Sequence, residues 1–130
     1  MISPRYHREK AQRYRLEAGK CDTCGEIHFP PRKVCRKCYA EGFTTVSLPR
    51  RGKVVTHTTI WIPPAQFESL KPYVVAVVEL DNGVRLTAMV CEAPPDEVKV
   101  GTKVEIVFRK LQEEPKWEVI KYGYKARVIP

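Results

Sequence analysis

The residues best suited to chemistry are four cysteines in two pairs, Cys21-Asp22-Thr23-Cys24 followed by Gly25, and Cys35-Arg36-Lys37-Cys38, with ten residues between the pairs. Two residues between cysteines let both thiolates point into one tight turn, and Gly25 supplies the positive φ that such a knuckle needs. Two knuckles then close a tetrahedral sulfur cage, the pattern of a structural Zn²⁺. The rival readings are two redox CxxC pairs or a cysteine-ligated iron–sulfur cluster. No thioredoxin-like βαβ pattern surrounds either pair, which counts against redox. Four protein sulfurs leave no open coordination position, so catalysis by the metal is not expected. Because the cysteine set is complete, His28 is expected to be a surface or hairpin residue. About 30 residues cannot bury a stable core alone, so a metal staple is expected in this stretch.

The rest of the chain announces no catalytic constellation. It has no Gly-rich phosphate loop, nucleophile elbow or His-Glu-x-x-His motif. His7, His28 and His57 fall in three different parts. Cys91 is the one cysteine outside the pairs. A nucleophilic cysteine needs a base and an oxyanion site, and none is legible nearby, so Cys91 reads as a structural thiol and the chain as a non-enzyme.

Positioning of these residues falls to three segments. The chain has 130 residues, 23 Lys+Arg against 15 Asp+Glu, and a formal charge of +8. Residues 1–51 hold 12 basic and 5 acidic residues, while residues 52–130 hold 11 and 10. The charge therefore belongs to the N-terminal part, although four zinc-bound thiolates would lower the total to +6. The longest apolar run, Tyr73 to Val78, is far short of the about 20 residues a membrane helix needs. Arginines and Lys10 follow the N-terminus in place of an apolar stretch, so no secretory signal is expected. The expected compartment is the cytoplasm, with reduced cysteines.

Residues 1–19 form the first segment, a basic helix over 3–18 with Ser3 as N-cap, Pro4 in the first turn and Gly19 as the stop. Its apolar content is thin for a core helix. Tyr6 and Tyr14, with Arg8, Arg13 and Arg15 around them, suit a partner-docking face, and a frayed tail is the bland alternative. Residues 20–50 are the zinc ribbon, with a short hairpin between the pairs kept extended by Phe29-Pro30-Pro31-Arg32.

Residues 51–130 read as five strands. Residues 52–62 place Val54, Thr56, Thr58, Ile60 and Ile62 on one face, and Gly52 allows a bend. Tyr73–Leu80 is the second strand, and Asp81-Asn82-Gly83 the turn into a third with Val84, Leu86, Ala88 and Val90 inward. The fourth has Val104, Ile106 and Phe108 inward. Glu113-Glu114-Pro115 turns the chain into a fifth from Trp117 to about Val128. A bent first strand, a hairpin between the second and third, and a longer link to the fourth suit an OB barrel. That link, with Pro94 and Pro95, is too proline-rich for more than a turn. The connection Pro63–Pro72 carries Phe67 and Leu70 beside Trp61. It reads as an apolar contact surface or, alternatively, as a plug for the barrel end.

The order of basic helix, four-cysteine ribbon with Phe29-Pro30-Pro31-Arg32, and barrel with Val100-Gly101 before its fourth strand resembles the zinc-ribbon plus OB-fold proteins that associate with thiolase-like enzymes and acyl-CoA. The resemblance covers essentially the whole chain. It implies a small, mainly-β, non-catalytic subunit that bridges acetoacetyl-CoA thiolase and hydroxymethylglutaryl-CoA synthase in mevalonate synthesis. Other relatives partner with acyl-CoA hydratases or aldolases. It further implies CoA or acyl-CoA at a shared interface. Arg50, Arg51 and Lys53 cluster at the ribbon–barrel junction and are candidates for the CoA phosphates, with a solvated linker as the bland alternative; Trp61 and Phe67, at the apolar connection, are candidate partner contacts. An RNA-binding module is the rival. Single-strand binders display stacking aromatics on strands two and three, and here the outward set on strand three is Arg85, Thr87, Met89 and Cys91, so nucleic acid is not expected.

Overall fold

Alternating apolar and polar residues, or a short apolar run such as Tyr73 to Val78, favour strands, and glycine or proline steps favour turns. In the computed structural model, residues 4–112 and 120–130 are described. The expected cap at Ser3, the turn at Glu113-Glu114-Pro115 and the strand start at Trp117 lie outside those residues.

The N-terminal helix is shorter than the sequence suggests and is broken in two, α1 Pro4–Arg8 and α2 Lys10–Arg15. Leu16 ends it by taking a left-handed conformation, φ 52°. That turn buries the Leu16 side chain in the core and lets its carbonyl accept the Leu48 N–H at 3.0 Å. Burial of one leucine thus overrides Gly19 as the stop. Gly19 lies instead inside β1, Glu17–Cys21, which crosses the expected limit at residue 19.

β1 is the centre of a three-stranded antiparallel sheet with β2, Ile27–His28, and β3, Phe43–Ser47, in the order β2-β1-β3. The stretch between the cysteine pairs is therefore one short strand followed by bends, not a hairpin of its own. The Phe29–Pro30 peptide is cis.

The barrel strands are β4 Arg51–Ile60, β5 Tyr73–Leu80, β6 Arg85–Cys91, β7 Lys103–Gln112 and β8 Lys121–Val128. They close in the order β4-β5-β6-β8-β7. Every pairing is antiparallel except β6 with β8, where Val90 meets Ala126. This is the OB arrangement. The β6–β7 link holds only a single 3₁₀ turn, Pro95–Glu97. The β5–β6 turn needs a positive φ at Gly83 alone, 85°.

Two inward faces differ from expectation. In β4 the ladder pairs Val54 with Val78 and then Thr56 with Val77, so Val55 is an extra, bulged residue. A one-residue slip exchanges the faces. Beyond the bulge His57 and Thr59 share the parity of core residues Ala76 and Val74, which cuts the expected face running from Val54 to Ile62. In β7, Val104 and Ile106 are buried but Phe108 is exposed. Its ring stacks on Tyr122 at 5.3 Å and meets Tyr14 edge-on at 5.2 Å.

Gly52 sits between β5 and β7, paired with both Leu80 and Val104. A Cβ there would lie 2.3 Å from the Glu79 carbonyl oxygen, so the close approach of two backbones requires glycine. One core cluster runs from Leu16, Ala18 and Leu48 of the ribbon side through Val54, Val78 and Ile106 of the barrel. Among the described residues, no helix is long and apolar enough to cross a membrane.

Candidate functional site

Two similar turns build the metal centre. In the first, the Gly25 N–H donates to the Cys21 carbonyl at 2.9 Å, and the Cys21 N–H to the Glu26 carbonyl at 2.8 Å. In the second, the Tyr39 N–H donates to the Cys35 carbonyl at 3.0 Å, and the Cys35 N–H to the Ala40 carbonyl at 2.9 Å. Each turn aims two sulfurs at one point. The four Sγ atoms of Cys21, Cys24, Cys35 and Cys38 lie within 4.8 Å of one another, with Cys21–Cys38 and Cys24–Cys35 both at 3.5 Å. A tetrahedron with zinc–sulfur bonds of about 2.3 Å has edges of about 3.8 Å, so the residues fit the ion. These separations are far too long for disulfides, whose S–S bond is about 2.05 Å. Cys21 and Cys35 are buried, and Cys24 is exposed. Bound there, Zn²⁺ would hold the two turns together and leave no position for a substrate.

His28 departs from expectation. It is 2% exposed, not a surface residue. Its Nε2 lies 3.4 Å from Cys35 Sγ, and its ring meets Phe43 edge-on at 5.6 Å. The Lys37 N–H also donates to that sulfur, at 3.4 Å. In the metal-free set, the backbone N–H of Cys38, helped by His28 and Lys37, brings the Cys35 thiol down to about 5. Cys24 goes the other way. The Glu26 N–H favours its thiolate, but desolvation and the three neighbouring sulfurs push it up to about 12. Cys21 is lowered along with Cys35, and Cys38 is raised along with Cys24; Cys35 is the sulfur that faces His28. Only the pairing of β2 with β1 brings His28 there, and no spacing rule announces it.

The structure divides the expected partner residues. Tyr6 and Tyr14 pack on their own barrel. The Tyr6 hydroxyl donates to the Tyr122 carbonyl at 3.1 Å, and Tyr14 meets Phe108. Arg13 lies 3.9 Å over the Tyr6 ring, donates to the Tyr6 carbonyl and pairs with Glu9. The helix looked too polar for a core because it packs on a barrel strand through two aromatic rings rather than a stripe of aliphatics. Arg8 is exposed, as is Arg15, which pairs with Glu17. At the far end of β4, Trp61 is 67% and Ile62 93% exposed, and Leu70 is also exposed. Phe67, in the 3₁₀ turn Ala65–Leu70, rests on Tyr73 with ring centroids 6.1 Å apart. Tyr73 pairs with Ile60 on the outward parity of β5, so the loop lies along the outside and does not plug the barrel.

Arg51 and Lys53 line an open cleft of about 600 Å³ together with Lys103, and Glu79 and Asp81 line it as well. Arg50 is exposed outside that lining. Cys91 is half-buried, and burial pushes its thiol up, which disfavours a thiolate. The outward face of β5 and β6 carries Tyr73 as its single aromatic.

A four-sulfur ribbon sharing its core with a closed five-stranded OB barrel defines a zinc-ribbon/OB-fold protein. Residues 8–44 match the family model for the ChsH2 rubredoxin-like zinc ribbon domain, and residues 45–109 that for the ChsH2 C-terminal OB-fold domain. A DUF35 domain-containing scaffold protein of Methanocaldococcus jannaschii is 39% identical over 91% of this chain and 84% of its own length. A benzoylsuccinyl-CoA thiolase subunit, BbsA, of Geobacter metallireducens is 30% identical over 85% of this chain and 73% of its own. Among solved structures, an Ltp2-ChsH2(DUF35) aldolase superposes with a TM-score of 0.74 at 28% identity, covering 95% of this chain and 90% of that one. The chain belongs to the DUF35 family of zinc-ribbon/OB-fold proteins.

Proposed function

We propose that this chain is a non-catalytic scaffold subunit that binds thiolase-type enzymes and helps hand over an acyl-CoA intermediate. The observation that carries the reading is a pair of unlike surfaces at opposite ends of one barrel. The ribbon adjoins the start of β4 and the β5–β6 turn, whose Asn82 and Gly83 share a cleft with Arg32 and Arg36. Trp61, Ile62 and Leu70 lie past the other end of β4, ten residues or about 33 Å of strand away. One end is basic, the other apolar, and a shared core couples them rigidly. A bridge between two enzymes needs that division, since large exposed apolar groups mark contact sites. The names of the M. jannaschii and G. metallireducens relatives, a scaffold and a thiolase subunit, point the same way.

In the finer reading the partners are acetoacetyl-CoA thiolase and hydroxymethylglutaryl-CoA synthase, working in mevalonate synthesis in the cytoplasm. Condensing acetyl units is uphill, so holding the next active site close raises the effective concentration of its substrate. Arg51 and Lys53, with Lys103 beside them, offer the CoA phosphates a cationic cleft. An RNA-binding reading lacks the aromatic platform it needs on β5 and β6.

Reconstitution tests this. The chain mixed with the two purified enzymes should elute as one complex, and excess unlabelled acetoacetyl-CoA should capture less labelled intermediate when the chain is present. Equal capture with and without it overturns the handover, and acyl-CoA turnover by the isolated chain overturns the non-catalytic role.

A further inference from the structure

An antiparallel sheet leaves one side of its outer strand unpaired. β3, Phe43–Ser47, is an outer strand of the ribbon sheet, and among the described residues its sole sheet partner is β1. The Leu48 N–H donates to the Leu16 carbonyl at 3.0 Å, and the Asp22 N–H to the Gly42 carbonyl at 3.0 Å. Bonded pairs alternate along such a ladder, so residues 42, 44, 46 and 48 turn their backbone groups to β1. Phe43, Thr45 and Ser47 turn theirs to the open edge, where they have no hydrogen-bond partner among the described residues.

Native sheets blunt an open edge with charged residues, proline, bulges or very short strands. β3 has none of these. Residues 42–49 carry no charged side chain, and the one proline, Pro49, comes after the strand. The β1–β3 register runs unbroken from Glu17↔Ser47 to Cys21↔Phe43. Two other edges are guarded. β2 is two residues long, and β4, beyond its short pairing with β7, carries the bulge at Val55. Thr44, Thr45 and Ser47 are exposed, with Phe43 and Val46 half-buried. Two chains of formal charge +8 repel each other, so a contact between copies needs a stretch where like charges do not meet. The β3 edge is such a stretch.

We propose that β3 pairs antiparallel with β3 of a second copy of this chain, across a two-fold axis at Thr45, and so joins two three-stranded sheets into one. Thr45 then meets Thr45, and Phe43 of each copy meets Ser47 of the other. Every outward N–H and carbonyl of the strand finds its partner, the self-match that a two-fold contact requires. Threonine opposite threonine is a favourable cross-strand pair. Just past the strand ends, the same register brings Glu41 of each copy next to Pro49 and Arg50 of the other. Glu41 and Arg50 are exposed and have no ion-pair partner among the described residues. Opposite charges thus close both ends of a neutral strand and fix its register, which a threonine-rich strand alone leaves loose. A strand of another protein could also meet the open backbone, but the complementary ends favour a second copy. The inference goes beyond the scaffold reading and does not rest on it.

Sedimentation equilibrium of the full zinc-loaded chain tests this. A strand contact of this length is smaller than a standard interface, so association should fall at about 10 µM to 1 mM, with the weight-average mass rising towards twice that of the monomer. Thr45→Pro deletes an N–H that points away from β1, so the ribbon should keep its ladder and its zinc content, while association weakens by about tenfold or more. Thr45→Lys and Thr45→Glu keep the backbone N–H and place like charges at the axis. Each should be monomeric alone, and an equimolar mixture of the two should dimerise. Glu41→Lys should weaken association, and adding Arg50→Glu should restore it. A wild-type chain that stays monomeric at about 1 mM overturns the proposal. So does a dimer that survives Thr45→Pro and both charged variants, because it uses another face. A monomeric chain that loses acetoacetyl-CoA thiolase on Thr45→Pro would assign the edge to a strand of the enzyme, which overturns the second copy and leaves the scaffold reading standing.

Discussion

Replacing His28 separates a hydrogen bond to the metal centre from simple packing beneath it. The Nε2–Sγ distance of 3.4 Å and the 2% exposure place a ring nitrogen against the Cys35 sulfur with little competing water, where the tautomer protonated at Nε2 donates to the thiolate. A hydrogen bond to a charged group contributes about 1.5–3 kcal/mol net. Removing an outer partner of a metal ligand costs about 10–100-fold in metal affinity, or roughly 1.4–2.8 kcal/mol at 1.4 kcal/mol per decade. The two routes agree. His28→Phe keeps an aromatic ring against Phe43 and deletes the donor, so it should lose about 10–100-fold in Zn²⁺ affinity. His28→Gln places an amide N–H near the same point and should recover part of the loss. His28→Ala leaves a cavity as well and should be the least stable of the three. The assay is competition with a chromophoric chelator at fixed pH, together with the sulfur-to-metal charge-transfer band of the Co²⁺-loaded chain. Acid release supplies the sign. Protons compete with the metal for thiolates, and the Cys35 thiol is held low by the Cys38 N–H and by His28, so deleting His28 should move the release midpoint to higher pH. A His28→Phe chain with wild-type affinity, Co²⁺ spectrum and release midpoint would refute the hydrogen bond and leave packing alone.

Gly52→Ala should destabilise the chain by about 3 kcal/mol or more, because the new Cβ meets backbone atoms at 2.3–2.9 Å and not a flexible side chain; a denaturant midpoint equal to wild type would show that β5 yields freely. Tyr6→Ala with Tyr14→Ala should lower the stability by about 2 kcal/mol, and the melting temperature with it, for the loss of one hydrogen bond and two ring contacts; unchanged melting would mean that the helices are not seated on the barrel. Chelating the metal should lower the melting temperature of the barrel as well as unfold the ribbon, since Leu16, Ala18 and Leu48 belong to the barrel's core cluster; amide exchange in β5 and β6 that ignores the chelator would argue against a shared core. Burial lowers the Lys125 ammonium below its usual range, so the unfolded chain binds the proton more tightly and stability rises with pH between that lowered value and the ordinary lysine value. Lys125→Met should remove that slope and raise the melting temperature, because it takes a buried ammonium out of the fold; an unaltered pH profile would assign the slope to another group.

Much of this protein is legible without coordinates because its strongest signals are local. Two-residue cysteine spacing fixes where thiolates point within a single turn, and the four sulfurs converge as that spacing requires. Alternation over Arg85–Cys91 sets which side chains face the core, since neighbouring residues on a strand point to opposite sides, whereas the apolar run Tyr73 to Val78 marks a strand and leaves its inward face to the structure. Contacts between residues distant in the chain leave no such mark. The bulge at Val55 adds one residue to a ladder that otherwise reads as continuous and so exchanges the faces of half of β4. Leu16 ends the helix because a core assembled from later strands accepts its side chain. Tyr6 and Tyr14 look free on a polar helix until β7 and β8 supply Phe108 and the Tyr122 carbonyl. His28 becomes part of the metal centre only when β2 pairs with β1 and Phe43 closes over it. The sequence determined the metal-binding turns and the strand pattern, because those follow from bond geometry within a few residues. Tertiary structure alone decided which tyrosines, which histidine and which strand faces remain for function, because burial and hydrogen bonding depend on groups brought together by folding.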